Sequence, residues 1–208
     1  MDFSRPLRVV TPTLEGDVLT LLARANESFT GRQLHRLLGR ASEPGVRKAA
    51  ERLAAQGIVM TRQVGKAKFY RLNRQHLAAP YVEGLADLRA TLIDRLRGSL
   101  GDWEEPPLVA VLFGSAALGE ATARSDLDLL LVRRRDVGED SAVWQGQISK
   151  LGREATEWTG NDARILEYGE DELEDPAVVD LVENAIDHGI ELFGPRGLLR
   201  RLLKGREG

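Results

Sequence analysis

The 208-residue sequence contains no cysteine, which excludes disulfides, thiolate zinc centres and cysteine nucleophiles. Histidine is scarce as well: His35, His76 and His188 lie far apart, and no two form the short-spaced pair of a metal site. Surface or packing roles are expected for all three. The first ten residues, MDFSRPLRVV, lack the long apolar core of a secretory signal. No uninterrupted apolar run approaches the ~20 residues of a membrane-spanning helix. The expectation is a cytoplasmic protein without a membrane partner. What remains is ordinary for a globular chain, with 42% hydrophobic and 29% charged residues, and a length that suits one large domain or two small ones.

Charge is unevenly spread. The net charge is −3, but residues 1–75 hold 14 Lys and Arg against 6 Asp and Glu, a balance of +8, and the remainder is −11. Such asymmetry suggests a polyanion-binding module joined to something else, with drift of surface charge as the bland alternative.

In the basic part, Thr11-Pro12-Thr13 can start a helix whose apolar stripe is Leu14, Val18, Leu21 and Leu22. Thr30 followed by Gln33 is a capping box for a short helix with Leu34, Leu37 and Leu38 inward and Gly39 at its end. Ser42 caps a third helix, with Pro44 in its first turn, a stripe of Val46, Ala49, Ala50 and Leu53, and Gly57 as its stop. Residues 58–62 and 66–72 read as two strands around a turn at Val64-Gly65. This order resembles the winged helix-turn-helix regulator families. The resemblance implies binding to double-stranded DNA, with Arg47, Lys48 and Arg52 on the outer face of the third helix and Arg62, Lys66, Lys68 and Arg71 on the hairpin wing. Cations along one face suit phosphates, and a helix fits the major groove. Use of the same fold for protein contact or for a homodimer is left open.

Residues 75–100 read as a connecting helix with Leu85, Leu88, Leu92 and Leu96 at helical spacing, broken by Gly98, Gly101 and Pro106-Pro107. The expected division is 1–78 for the DNA-binding domain, 79–104 for the connector and 105–208 for a second domain.

The second domain opens with LVAVLFGSAALGEATARSDLDLLLV, residues 108–132. Two continuous apolar runs, 108–113 and 129–132, read as buried strands. Between them stand Gly114-Ser115, a short helical piece, and Ser125-Asp126-Leu127-Asp128. Residues two apart on a strand share a side, so Asp126 and Asp128 project together, about 6–7 Å apart along the backbone. Like charges so close are unfavourable unless a cation joins them, and carboxylate oxygens suit Mg²⁺, or Mn²⁺ in its place. Gly114 allows a phosphate close to the backbone, and Ser115 offers a hydroxyl.

Gly114, Ser115, Ser125, Asp126 and Asp128 reproduce a Gly-Ser, helix, Ser-Asp-x-Asp pattern. It resembles the nucleotidyltransferase superfamily of DNA polymerase beta, in particular the small prokaryotic minimal and antibiotic nucleotidyltransferases, over roughly residues 105–195. The fold implied for the whole chain is α+β: a winged helix-turn-helix followed by a mixed β-sheet domain flanked by helices. The resemblance implies transfer of a nucleotidyl group from a nucleoside triphosphate to a hydroxyl with release of pyrophosphate. Gly114, Ser115 and Ser125 would serve the phosphates, and Asp126 and Asp128 would be catalytic and metal-binding.

Two positions depart from the pattern. Leu118, not arginine, precedes Gly119. In the strand expected at 162–168, the place of a third carboxylate falls at Arg164, while Asp162 and Glu167 read as surface or strand-end acids. Three functions therefore compete: a DNA-binding nucleotidyltransferase; a transcriptional regulator whose second domain is an inert nucleotide sensor or scaffold; and a toxin–antitoxin component modifying a protein or RNA. Further on, 170–175 reads as an acidic helix start. A helix over 178–188 leads into a short closing strand at 189–194, and the basic, amphipathic tail from Leu198 is expected to pack on the domain.

Overall fold

The computed structural model describes residues 1–204 and divides into two units, one made of Asp2 and Ser4–Leu88, the other of Met1, Phe3 and Arg89 onward. No helix among the described residues is long and apolar enough to cross a membrane.

In the first unit α1 (Leu14–Arg24) buries Val18 and Leu22 completely, with Leu19 beside them. A two-residue strand β1 (Phe29–Thr30) runs straight into α2 (Gly31–Leu38). Both halves of the capping box form: Thr30 Oγ1 accepts from Gln33 N at 3.2 Å, and Gln33 Oε1 accepts from Thr30 N at 2.8 Å. Gly39 ends the helix in the left-handed region at φ 68°. Leu37, expected inward, is instead 54% exposed, because a helix of eight residues has only one face against α1 and α3 and Leu34 takes it. Ser42 caps α3 (Glu43–Ala55), whose buried side chains are Val46, Ala49, Ala50 and Leu53. The hairpin β2 (Val59–Val64) and β3 (Ala67–Leu72) is antiparallel, and its turn is Gly65-Lys66, one residue later than the sequence suggests. β1 adds to β3 through Phe29 opposite Tyr70, giving the order β1-β3-β2.

The segment expected as one connecting helix forms two. α4 (Ala79–Ala86) puts Ala79, Val82 and Ala86 into the first unit's core. α5 (Leu88–Gly101) puts Leu92, Ile93, Leu96 and Leu100 into the core of the second. The break at Asp87 separates two apolar stripes with different partners.

The second unit is built on a four-stranded sheet in the order β6-β5-β4-β7. Strands β4 (Val109–Phe113) and β5 (Leu127–Arg133) are antiparallel and central. Their side chains alternate between two cores. Ala110, Leu112, Leu129 and Leu131 join Trp144, Leu151 and Ala155 of the long helix α7 (Ala142–Thr159). Val109, Val111, Leu130 and Val132 join Val178, Val182 and Ala185 of α8 (Pro176–His188), together with Leu199 of α9 (Leu198–Lys204). Apolar residues on both faces explain the unbroken runs in the sequence. They also leave register poorly specified by hydrophobicity alone.

β6 (Ala163–Gly169) lies parallel to β5, which requires the α7 crossover. No element is readable in the sequence over 133–161; the structure fills it with α7, capped by Ser141. The acidic stretch at 170–175 forms a single 3-10 turn, and Asp175 caps α8 by accepting from Ala177 N at 2.8 Å. β7 (Ile190–Phe193) closes the sheet against β4. The tail packs as expected through Leu199, 2% exposed; its last four residues lie outside the described residues.

Candidate functional site

β4 ends at Phe113, and the chain turns at once into α6 (Gly114–Leu118). The turn needs φ +67° at residue 114, a conformation that glycine adopts without strain. A Cβ there would sit 2.7 Å from Asp128 Oδ2, closer than real side chains approach. The Gly114 backbone and the Asp128 carboxylate are thus packed edge to edge. The pairing Phe113↔Asp128 across β4 and β5 brings this about, bridging fifteen residues of sequence.

Asp126 stands just before β5 and Asp128 within it, on the α8 side by strand alternation. Burial, and next the Asp126 charge, push the Asp128 carboxyl above its ordinary range, with Arg164 pulling the other way. The third charged group is Arg164. The parallel register sets Asp128 directly opposite Arg164, and the guanidinium Nη1 reaches Asp126 Oδ2 at 2.9 Å. The position where the sequence leads one to look for a third acid therefore carries a cation that is already paired with the first.

Neither alternative acid replaces it. Glu167 lies opposite Leu131 and accepts from Arg133 Nε at 2.6 Å. Asp162 is exposed, and its backbone carbonyl, accepting from Leu127 N at 2.8 Å, starts the β5–β6 pairing. Among the described residues, no group of three or more His, Asp or Glu side chains could hold a metal ion.

Of the residues expected to serve phosphates, Gly114 and Ser115 lie together at the start of α6. Ser125 is committed elsewhere: its Oγ accepts from Thr122 N at 3.0 Å and lies 3.2 Å from Thr122 Oγ1, closing the loop before Asp126. Two supports were not legible in the sequence. Asn161, 2% exposed, donates from Nδ2 to Thr122 O at 2.9 Å and Ser125 O at 2.7 Å, clamping the same loop from the end of α7. Arg89 Nε donates to Ala116 O at 2.9 Å, and Nη2 donates to Ala117 O, so the last carbonyls of α6 are satisfied from α5. Only a local Asn-Asp or a lone arginine marks these positions in sequence, and neither signals its partner.

In the first unit, Arg47 and Lys48 are exposed on α3, and Arg62 and Lys66 are exposed on the hairpin and its turn. Arg52 and Arg71 are exposed too, whereas Lys68 is half-buried, and each has a neighbour within the protein. Arg52 pairs with Glu15 at 2.5 Å, Lys68 donates to Glu51 at 2.7 and 2.8 Å, and Arg71 lies 3.6 Å from Met60 Sδ. Glu51 also accepts from the Tyr70 hydroxyl at 2.7 Å. Those bonds from Lys68 and Tyr70 hold the Glu51 carboxyl below its ordinary range, against burial. Tyr70 itself is pushed well upward by burial and by Glu51.

The family model described as nucleotidyltransferase domain matches residues 93–195, which lie within the second unit. Among solved structures, a mutant of the toxin–antitoxin pair MntA-HpeT matches at 14% identity, covering 54% of this chain and 82% of that one with a TM-score of 0.41. A toxin–antitoxin structure with AMP-PNP matches at 18% identity with the same coverages and a TM-score of 0.40. TrmBL2, described as an archaeal chromatin protein with a novel mode of DNA binding, matches at 16% identity over 82% of this chain and 71% of its own, with a TM-score of 0.28. No curated protein matches the sequence.

Proposed function

We propose that the protein is a DNA-binding regulator whose nucleotidyltransferase domain binds a nucleoside triphosphate with Mg²⁺ or Mn²⁺ and serves as a nucleotide sensor. The observation that carries the nucleotide site is the fit of Gly114 against Asp128, which brings a bare backbone approach and a pair of carboxylates to one strand end. The donor set suits one hard cation: Asp126 and Asp128 are adjacent on the same side, and the Asp128 carboxyl is raised first by burial and next by the Asp126 charge, a repulsion that such an ion would relieve. When bound, that ion would neutralise the triphosphate and fix its orientation. The Gly114 and Ser115 backbone and the Ser115 hydroxyl would hold phosphate oxygens. Asn161 and Ser125 would keep the Asp126 loop in place.

The regulator half of the reading is a winged helix-turn-helix in the first unit. It is supported by the capped α2, the α3 helix, the hairpin, and the exposed cations Arg47, Lys48, Arg62 and Lys66. Sensing is favoured over transfer because a guanidinium, not a carboxylate, stands opposite Asp128. The second reading, transfer of a nucleotidyl group to a hydroxyl, is favoured by the complete set Gly114, Ser115, Asp126 and Asp128.

Thermal melting of the full chain with Mg²⁺ and each of the four common triphosphates tests the site. At least one should raise the midpoint, and Asp126→Ala with Asp128→Ala should abolish the gain. No shift with any of them refutes nucleotide binding. Binding of the same chain to duplex DNA should fall steeply with salt, and a flat, undetectable curve at low salt refutes the regulator. Labelled triphosphate incubated with metal and lysate separates the two readings: label on protein or RNA means transfer.

A further inference from the structure

We propose that Arg164 is a resident cation of the nucleotide site, limiting it to a single divalent ion and occupying Asp126 until a nucleotide-borne ion displaces it. The inference rests on the nucleotide-binding reading above and adds the ionic composition and gating of that site.

Placement comes from the sheet. β5 and β6 are parallel, with Leu127 opposite Ala163 and Asp128 opposite Arg164. Arg164 shares its side of β6 with Leu166 and Tyr168, which pack against the same core as Leu130 and Val132. Asp126, Asp128 and Arg164 therefore lie on one side of the sheet, and the guanidinium crosses between strands to Asp126 Oδ2 at 2.9 Å.

Ligand number decides what such a site can hold. Two carboxylates and one guanidinium sum to a single negative charge. A pair of divalent ions about 4 Å apart needs several carboxylates to offset their mutual repulsion. No further acid is at hand among the described residues: Glu167 is held by Arg133, and no cluster of three acids or histidines exists. One divalent ion, carried in by a triphosphate, finds Asp126 and Asp128 as ligands, whereas a second would have no carboxylate of its own.

The latch is also reversible. The Arg164 side chain is 60% exposed and that of Asp126 31%, so water competes for both groups and their pairing is weak. Asp128 makes no such pair and remains available as the first carboxylate an incoming ion meets. Asp126 follows when Arg164 lets go. The freed guanidinium then stands beside the bound triphosphate as a fixed positive charge, in the place where a second ion would otherwise be needed.

The test is Mn²⁺ stoichiometry, measured by the electron paramagnetic resonance of free Mn²⁺ with saturating non-hydrolysable triphosphate analogues. Wild-type chain should hold one ion per bound analogue in total, the one the analogue carries. Arg164→Asp, which supplies the missing acid, should bind two. Arg164→Gln, which removes the competing cation without adding an acid, should stay at one and bind it roughly two- to fivefold more tightly, the factor expected on losing an exposed ion pair. Two ions in the wild type overturn the proposal. So does one ion in an Arg164→Asp protein whose melting curve remains cooperative, or unchanged affinity in Arg164→Gln. Absence of analogue-dependent Mn²⁺ binding from every variant overturns the nucleotide reading itself, which distinguishes the two failures.

Discussion

Replacing Gly114 by alanine separates backbone strain from damage to the site. Two penalties are expected. The first is conformational: residue 114 holds φ +67°, and an L side chain in the left-handed region costs about 1–2 kcal/mol. For a unit of this size that corresponds to a melting-point loss of roughly 3–8 °C. The second is steric: the new Cβ would lie 2.7 Å from Asp128 Oδ2, so the carboxylate must turn away. Gly160→Ala supplies the control, since Gly160 has φ +70° and open space around its Cβ. Both variants should lose similar intrinsic stability, but only Gly114→Ala should lose the gain from Mg²⁺ and triphosphate. At ligand 100 times its dissociation constant the wild-type gain is about 2.7 kcal/mol, and a ~30-fold weaker site would retain roughly 0.8 kcal/mol. Differential scanning fluorimetry with and without ligand reads both quantities. A Gly114→Ala protein that keeps the full ligand-induced shift would refute the placement of the triphosphate against Gly114.

Three further outcomes are expected. Lys66→Ala should lower the salt slope of DNA binding by about 0.9, the value for one lost phosphate contact, whereas Lys68→Ala should change it little because Lys68 is held by Glu51; equal slopes for the two variants would contradict this. Thr30→Ala should lose about 1 kcal/mol in urea denaturation of the first unit, since it removes half of a formed capping box. Asp128→Asn should melt higher than wild type at pH 7 in the presence of a chelator. The folded Asp128 carboxyl is raised above its ordinary 3.8, so its neutral form favours folding below that value, and this is lost as pH rises through the folded pKa. The advantage of the asparagine variant should therefore shrink as pH falls through the raised folded pKa and be gone below 3.8; a gap that widens instead would reverse the assignment.

Much of the local structure was legible because its causes are local. The capping box at Thr30 and Gln33, the glycine stop at Gly39 and the Ser42 cap each depend on residues three or four apart, and all three form. Continuous apolar runs at 108–113 and 129–132 read as buried strands, and β4 and β5 form there with both faces covered. Misses fall where context decides. Leu37 fits an inward stripe but finds no partner, and β1 has two residues that exist as a strand only because β3 passes beside them. The single helix read through 75–100 split because its stripe serves two different cores.

The sequence by itself set Gly114 beside Ser115 and Asp126 one strand period from Asp128, and only a family resemblance joined the two pairs. It also placed an arginine where an acid was sought. Only the tertiary structure decided what that arginine does. Residues 128 and 164 are neighbours because a parallel strand pair sets them opposite one another, and no spacing rule connects them across the α7 crossover. The same holds for Asn161 on the Asp126 loop, Arg89 on α6 and Glu51 on Lys68. Short-range chemistry is written in the order of residues, whereas partners that meet through sheet register and helix packing are fixed only when the chain has folded.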